Sequence, residues 1–301
     1  MSFLDLSNNK IHGVVPNWIW NAGSGIIVHL NLSCNFLDHL EEPLPDPNSR
    51  SSAIVDHHSN LLQGPVPILS SVVTYLDYSN NNFTSTIPAN ISSYLSFTIF
   101  FFVSNNKLHR EIPTSICNAS NHQVLNLSNN NLSNMVPTCL GSNTRTLGVL
   151  NLGQNNFKGS IPQTFPIGCS PMTLDLNGNE LEGSIPMTLG NCKMLESNHF
   201  HGPIRRTDHT FPRLPTIDLS SNDFVGNLSS EVFLSWKAMT VEEDETQSEN
   251  KIETLRFKFL EFYQVYYQDT VMLTNKGIEI ELVKILTIFT SIDLSNNKFQ
   301  G

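Results

Sequence analysis

Eleven asparagines recur in one frame along this chain, Leu-x-Leu-x-x-Asn-x-Leu-x-Gly-x-Ile-Pro or a near variant of it. They are Asn9, Asn35, Asn60, Asn81, Asn106, Asn130, Asn155, Asn179, Asn198, Asn222 and Asn297. Clean copies run from Leu4 to Pro16 (LDLSNNKIHGVVP), from Leu150 to Pro162 (LNLGQNNFKGSIP) and from Leu174 to Pro186 (LDLNGNELEGSIP). The prolines that close the frame, at Pro88, Pro113, Pro137, Pro162 and Pro186, recur at a nearly constant step. A unit of this size cannot bury its apolar edge by itself, so it is stable only when stacked on neighbours like itself.

The leucine spacing and the short, regular period are those of a leucine-rich repeat. The repeat predicts an α/β repeat fold, a leucine-rich-repeat solenoid with one parallel β-sheet on its concave face and short 3-10 or irregular segments on its convex side. Each Leu-x-Leu forms a strand whose leucines point inward while the x residue points out. The asparagine is carried into the turn that follows. A buried amide is costly unless bonded, so it must satisfy main-chain groups of its own coil and of the next, as a ladder. The glycine allows a tight backbone, and the proline, lacking an N–H, ends the local pairing. The asparagines are therefore scaffold.

Three segments follow from the frame: a solenoid over residues 1–232 with about ten repeats, a non-repeat insert over 233–289, and the start of a further repeat over 290–301. Charged residues make up 15% of the chain and the formal net charge is −10, which speaks against nucleic acid as a partner, since phosphate demands a basic stripe. Cys117 and Cys139 fall in adjacent coils, as do Cys169 and Cys192, with Cys34 left over. Neighbouring strands are about 4.8 Å apart, inside the span a disulfide bridges. The cysteines are thus either two bridges formed in an oxidising compartment or buried free thiols. Asn-x-Ser/Thr sequons at Asn31, Asn82, Asn90, Asn118, Asn126, Asn131 and Asn227 mark candidate glycosylation sites of a secreted chain, although a repeat rich in Asn and Ser also generates them by chance. The apolar run Phe97 to Val103 is too short to cross a bilayer and occupies a strand position, so no membrane segment is predicted.

Three interruptions break the frame. In Val55 to Pro67 (VDHHSNLLQGPVP), His57 fills a core leucine slot, which predicts a neutral, hydrogen-bonded imidazole in a loose coil. No further ligand is arranged near His57 and His58 in the sequence, and His199 and His201 flank a core Phe200 in the same way, so no metal site is read there. Around Leu195 to Ile204 the step from Pro186 to the next proline slot, Arg205, is shorter than the others, which predicts a kinked or imperfect coil near 187–205. The largest break separates Ser229 from Ile292. It begins polar and acidic over Val241 to Lys251, read as a loop, and becomes aromatic and β-prone over Phe257 to Leu282. Tyr263 to Leu273 and Ile278 to Leu282 are read as strands joined by a turn at Asn275-Lys276-Gly277, with Leu282 to Phe289 returning to the core. Long inserts in repeat arrays map to one face and are often functional.

Catalytic signatures are missing: there is no Gly-x-Ser-x-Gly, no phosphate-binding glycine loop and no Cys-x-x-Cys. Asp5, Asp56, Asp77, Asp175, Asp218 and Asp293 share the outward strand position, and stacked pairs approach the spacing of glycosidase carboxylates. On an open, wet sheet nothing raises one pKa above its partner's, so these too are read as part of the repeat. No enzyme activity, cofactor or metal is expected.

With this frame, the NLS-rich strands and the insert, the chain resembles plant extracellular leucine-rich-repeat receptors, in particular receptor-like proteins of the disease-resistance type. The insert is similar to the island domain of that family: Tyr267, eight residues, then Lys276-Gly277 follow its Tyr-x8-Lys-Gly pattern, and KGIEIELVKILTIFTSIDLSNNKFQG is similar to its passage from island to final repeats. The resemblance implies a plasma-membrane receptor facing the extracellular space, glycosylated, that binds a microbial protein or peptide and signals through a receptor-like kinase adaptor and a co-receptor. Ligand or partner contacts are expected at Tyr266, Tyr267, Lys276, Gly277 and Glu279. The family's signal peptide, cap, last repeats and membrane helix are not visible here, so the chain resembles an internal stretch of such an ectodomain and is expected to be unstable when expressed alone. A peptide-hormone receptor of development is the alternative. A secreted polygalacturonase-inhibitor-like protein is less favoured, because that family has no island.

Overall fold

The computed structural model describes residues 2–21, 27–44, 53–67, 69, 72–142, 146–166, 169, 173–191, 216–228, 270–275, 278–283 and 291–300. Ten strands form one parallel sheet in chain order: Phe3–Asp5, His29–Asn31, Ile54–Asp56, Tyr75–Asp77, Phe100–Phe102, Val124–Asn126, Val149–Asn151, Thr173–Asp175, Thr216–Asp218 and Ser291–Asp293. The pairing is in strict register, so the middle residues Leu4, Leu30, Val55, Leu76, Phe101, Leu125, Leu150, Leu174, Ile217 and Ile292 stack in one inward row. The second apolar residue of each frame, from Leu32 to Leu219, joins them in a single continuous core.

The turn after each strand is made by a left-handed residue just before the ladder asparagine. Asn8, Cys34, Ser59, Asn80, Asn105, Asn129, Gln154, Ser221 and Asn296 have φ between 51° and 55°, and Gly178 has 59°. Asparagine tolerates that region best among residues with a side chain, which explains the SNN and SNNN runs of the repeat. The ladder asparagine then points inward. Asn130 donates its amide to the carbonyls of Leu127 and Ser128 in its own coil and of Val103 in the coil before, while its Oδ1 accepts the Leu108 N–H of that earlier coil. Asn35, Asn60, Asn81, Asn106, Asn155, Asn179, Asn222 and Asn297 repeat the scheme.

A second band of short parallel strands lies after the asparagine turn, where the sequence had suggested irregular chain. His109–Arg110, Asn131–Asn134, Asn156–Gly159, Glu180–Gly183, Asp223–Asn227 and Lys298–Gln300 form one sheet, and His12–Val15 with Phe36–Leu40 and Gln63–Gly64 with Asn82–Phe83 form two pairs. The repeat's glycine sits in this band: Gly183 has φ +85°, a position taken elsewhere by Arg110 and Asn134 at 70° and 68°. The closing proline opens a turn of helix as well as ending the band, since the carbonyls of Pro16, Pro88, Pro113, Pro137 and Pro186 each accept the N–H three residues on. Short 3-10 helices Asn17–Asn21, Ile91–Ser93, Thr114–Asn118 and Met187–Asn191 and the α-helix Thr138–Ser142 follow them. Two of these, in neighbouring coils, are joined by a disulfide between Cys117 and Cys139, with Cα atoms 5.9 Å apart. Cys169 is disulfide-bonded too, and Cys192, its expected partner, lies outside the described residues.

The interruptions take definite forms. Thr173–Asp175 pairs directly with Thr216–Asp218, with no strand between them in the sheet. The rung beside Asn179 is accordingly held by Asn222 rather than by Asn198, which lies outside the described residues. The shortened step from Pro186 to Arg205 falls below what one coil consumes, and the sheet closes without it. Thr216–Asp218 in turn pairs with Ser291–Asp293, so the insert leaves and rejoins the solenoid between two adjacent coils. Within the insert, Thr270–Asn275 and Ile278–Val283 form an antiparallel hairpin in which Asn275 faces Ile278. Thr274, Asn275 and Val283 are thus strand residues beyond the bounds the sequence suggested. Residues 241–251, 263–269 and 284–289, read as loop, strand and return, lie outside the described residues.

His57 fills a leucine slot as expected, fully buried between the rings of Trp20 and Tyr78 with centroids 6.0 and 5.7 Å away. Burial pushes its pKa down to about 4, so it is neutral. The expected hydrogen bond is missing, however: neither ring nitrogen has a partner, and the Trp20 Nε1 and Tyr78 hydroxyl beside it have none either.

Candidate functional site

The first and third residues of each strand point away from the core, and the first of them varies most in residue type from coil to coil. The first-position row reads Phe3, His29, Ile54, Tyr75, Phe100, Val124, Val149, Thr173, Thr216, Ser291. At its centre the face is neither open nor wet, contrary to the sequence reading. Phe100, Phe102, Val124 and Val149 form a second buried apolar cluster, against which Tyr75 and Ile99 pack. The Tyr75 ring lies 5.9 and 5.5 Å from those of Phe100 and Phe102. The cause is local sequence: FFF at 100–102 puts aromatic side chains at both outward positions of one strand, beside β-branched valines in the next two.

The third-position row is polar: Asp5, Asn31, Asp56, Asp77, then Phe102, then Asn126, Asn151, Asp175, Asp218 and Asp293. Each side-chain oxygen caps the turn that follows by accepting the N–H two residues on, as in Ser79 N–H to Asp77 (2.8 Å), Ser128 N–H to Asn126 (3.1 Å) and Ser220 N–H to Asp218 (2.9 Å). This capping explains why Asp and Asn alternate there, and it commits the carboxylates to the scaffold. Burial, with the neighbouring Asp56 carboxylate adding to it, pushes the Asp77 carboxyl up to about 6, and burial raises that of Asp218. The Tyr75 hydroxyl donates to the other oxygen of Asp77 at 3.3 Å.

A third row runs along the rim of the sheet. The left-handed residues Asn80, Asn105, Asn129 and Gln154 are exposed, and their amides point outward. Asn129 donates to Asn105, Gln154 donates to Asn177 at 2.7 Å, and Asn177 donates to Asp175 and Asp218 at 2.7 and 3.1 Å. An amide offers two donors and an acceptor with two lone pairs, so these two linked pairs, Asn105 with Asn129 and Gln154 with Asn177, retain capacity for further bonds. An apolar row beside an amide row of the same spacing suits an extended peptide, whose main chain pairs with amides while its side chains meet the apolar row.

Of the residues singled out from sequence for partner contact, Tyr266, Tyr267, Lys276 and Gly277 lie outside the described residues, and Glu279 stands in the hairpin opposite Thr274. Among the sequons, Asn31 and Asn126 end strands of the outward face and cap turns there, Asn82 is half-buried in the second band, and Asn90, Asn118, Asn131 and Asn227 are exposed. Tyr75, Phe100, Phe102 and the amide strip were not anticipated as a site. The signal for them lies in the run from Phe97 to Val103, where three aromatics in a strand that otherwise reads x-Leu-x make the outward positions apolar. Among the described residues no helix is long and apolar enough to cross a membrane.

The Leucine Rich Repeat family model matches residues 1–22, 73–94, 123–143 and 171–192. Receptor-like protein 32 of Arabidopsis thaliana is 34% identical over 309 residues, an alignment that covers all of this chain and 32% of that protein. The chain spans about a third of the length of the curated relatives it matches. Among solved structures, the plant peptide hormone receptor RGFR1 in complex with RGF2 superposes with a TM-score of 0.63 at 26% identity, covering 79% of this chain and 34% of that one. The Arabidopsis receptor kinase HAESA, in complex with the peptide hormone IDA and the co-receptor SERK1, gives 0.64 at 26% identity, covering 77% and 36%.

Proposed function

From the premise that this chain belongs to the leucine-rich-repeat receptor-like proteins of plants, we propose that it is a ligand-binding portion of a cell-surface receptor ectodomain that recognises a microbial peptide or protein in defence signalling, without catalysis. The observation that carries this reading is the contrast between the two sides of the sheet. The middle residue of each strand is Leu, Ile, Val or Phe in every coil, whereas the first-position outward row varies among aromatic, aliphatic and hydroxyl side chains along ten strands. A scaffold that holds a varied face rigid is suited to recognition. Of the similar structures, RGFR1 and HAESA were solved with peptide hormones, and HAESA also with a co-receptor. A receptor-like kinase adaptor and a co-receptor complete the proposed assembly, with the insert and the coil beginning at Ser291 as the surface nearest them. The Cys117–Cys139 bridge and the exposed sequons suit an extracellular location at the plasma membrane.

The same two structures favour a second reading, perception of an endogenous peptide hormone. One experiment separates them. Plants expressing a full-length receptor that carries this chain are scored for an oxidative burst on exposure to microbial culture filtrates and, separately, to synthetic plant peptides. The defence reading expects a response to filtrate that Asn105→Ala/Asn129→Ala/Gln154→Ala removes while surface abundance stays normal. A response confined to endogenous peptides selects the hormone reading, and a filtrate response indifferent to the triple substitution removes the outward face as the site. Tyr267→Ala in the same receptor tests the insert: lost signalling at unchanged abundance assigns it to contact, lost abundance to folding.

A further inference from the structure

Two side chains in the early coils are not what the repeat asks for, and they meet. The residue after the second repeat leucine is Ser7, Ser33, Ser79, Ser104, Ser128, Gly153, Asn177, Ser220 or Ser295, but in one coil it is His58. The left-handed position is Asn, Ser, Gln or Gly, but in one coil it is Cys34. Cys34 Sγ stands 3.5 Å from His58 Nε2, across 24 residues of chain. The other ring nitrogen, Nδ1, lies 2.7 Å from Asp56 Oδ1. Asp77, from the next coil, brings a buried carboxylate, and the ligating atoms of Asp56, His58 and Asp77 lie within 4.8 Å of one another. Cys34 is a free, half-buried thiol. Among the described residues no lysine or arginine pairs with this group, and the ion pairs of Lys158 and Lys298 are elsewhere on the solenoid.

We propose that Cys34, His58, Asp56 and Asp77 form a metal site that takes one thiophilic divalent ion of the zinc class. Zinc–sulfur and zinc–nitrogen bonds of about 2.3 and 2.0–2.1 Å at a tetrahedral angle place the two donors about 3.5 Å apart, which is where Cys34 and His58 already stand. A carboxylate on the far nitrogen of a ligating histidine fixes the ring and strengthens it as a donor, the relation Asp56 has to His58. The Asp77 carboxylate, within 4.8 Å of the donor atoms of Asp56 and His58, places negative charge beside the pair, and water completes the coordination. Calcium and magnesium demand six or more oxygens, which a thiol and an imidazole do not provide. On binding, the thiol proton leaves to solvent and the thiolate bonds the ion. The two protein ligands come from adjacent coils, so the ion ties these together, with Asp77 and Tyr75 of the next coil beside it. Sequence spacing hides the site because its donors are a full coil apart.

The test uses the full chain, metal-free, with its disulfides intact and handled without oxygen so that Cys34 stays a thiol, titrated with Co2+ as a spectroscopic stand-in. One equivalent is expected to give a near-ultraviolet thiolate-to-cobalt band and tetrahedral visible bands, both abolished by Zn2+ and untouched by Ca2+ or Mg2+. Cys34→Ser removes the near-ultraviolet band, and His58→Gln weakens affinity about tenfold or more. Both residues lie at the rim, and far-ultraviolet circular dichroism verifies that each variant is folded. As an independent readout, Zn2+ slows alkylation of Cys34 by iodoacetamide in the parent chain and not in His58→Gln. Absence of the thiolate band, an equal band in Cys34→Ser, or alkylation indifferent to zinc each overturns the proposal.

Discussion

Asn222 donates its side-chain amide to the carbonyl oxygen of Leu176 at 2.9 Å, across 46 residues of chain. Between Asn35 and Asn179 the same bond spans 24 to 29 residues. The rung therefore belongs to whichever coil is the neighbour in space, and the sequence step between them is immaterial to it. This is why the solenoid closes over the short step, and why the long insert costs the ladder nothing: Asn297 makes the same bond to Leu219 across 78 residues.

The ladder should be worth most where it is two-sided. Asn130→Ala removes the partner of the buried Leu108 N–H and of three carbonyls, and is expected to cost about 2–3 kcal/mol. Asn9 is exposed and bonds only carbonyls of its own coil, so Asn9→Ala should cost less than about 1 kcal/mol. Urea unfolding ranks the two, and hydrogen exchange at Leu108 shows whether the loss is local. Equal costs would mean the links between coils contribute nothing.

The scaffold was legible because its residues act through chain-local rules. Leu125, Leu127 and Asn130 do the same work in their coil as Leu150, Leu152 and Asn155 do in the next. The second band was not legible, since Asn131–Asn134 carries no strand propensity of its own and pairs only because its neighbours stand in register. The site was less legible still. Phe100 and Val149 stand two coils apart and meet on one face, and Cys34 and His58 meet across adjacent coils. First-position and rim side chains obey no period, so their chemistry shows only once the stacking is known.

His57→Leu is expected to stabilise the protein by about 1–3 kcal/mol. It restores the residue type the slot has in the preceding coil, at Leu32, and removes two buried ring nitrogens that have no partner. Thermal or urea unfolding measures it. A lower midpoint would show that a bound water or a shift of Trp20 or Tyr78 satisfies the imidazole.

His122 makes stability depend on pH in one direction. It is buried, its Nδ1–H donates to the Thr98 carbonyl at 2.8 Å, and burial pushes its pKa down to about 4 from an ordinary 6.5. Between these values the unfolded chain binds a proton that the folded chain refuses. Its contribution is therefore complete above pH 6.5 and is lost as pH falls toward 4, by at most about 1.4 kcal/mol per pH unit. His122→Gln keeps a donor for Thr98 and does not titrate. The stability difference between parent and variant, measured from pH 7 to 4, should shift steadily in the variant's favour on acidification. A difference that stays constant with pH rejects the assignment.

Asn126 caps its turn through Oδ1 alone, accepting the Ser128 N–H at 3.1 Å and the Ser128 hydroxyl at 2.7 Å. Asp77 does the same for Ser79 with a carboxylate, at 2.8 and 2.6 Å. The cross-strand neighbours of Asn126 are Phe102 and Asn151, neither of them charged, so a carboxylate at 126 meets no like charge beside it. Asn126→Asp should therefore change stability by less than about 0.5 kcal/mol, whereas Asn126→Ala, which leaves the Ser128 N–H uncapped, should cost about 1 kcal/mol. Both substitutions delete the Asn126-Leu127-Ser128 sequon, so the aspartate variant separates any effect of carbohydrate on the outward face from an effect on the fold. Equal destabilisation by Asp and Ala in unglycosylated protein would show that the capping oxygen is not what the turn requires.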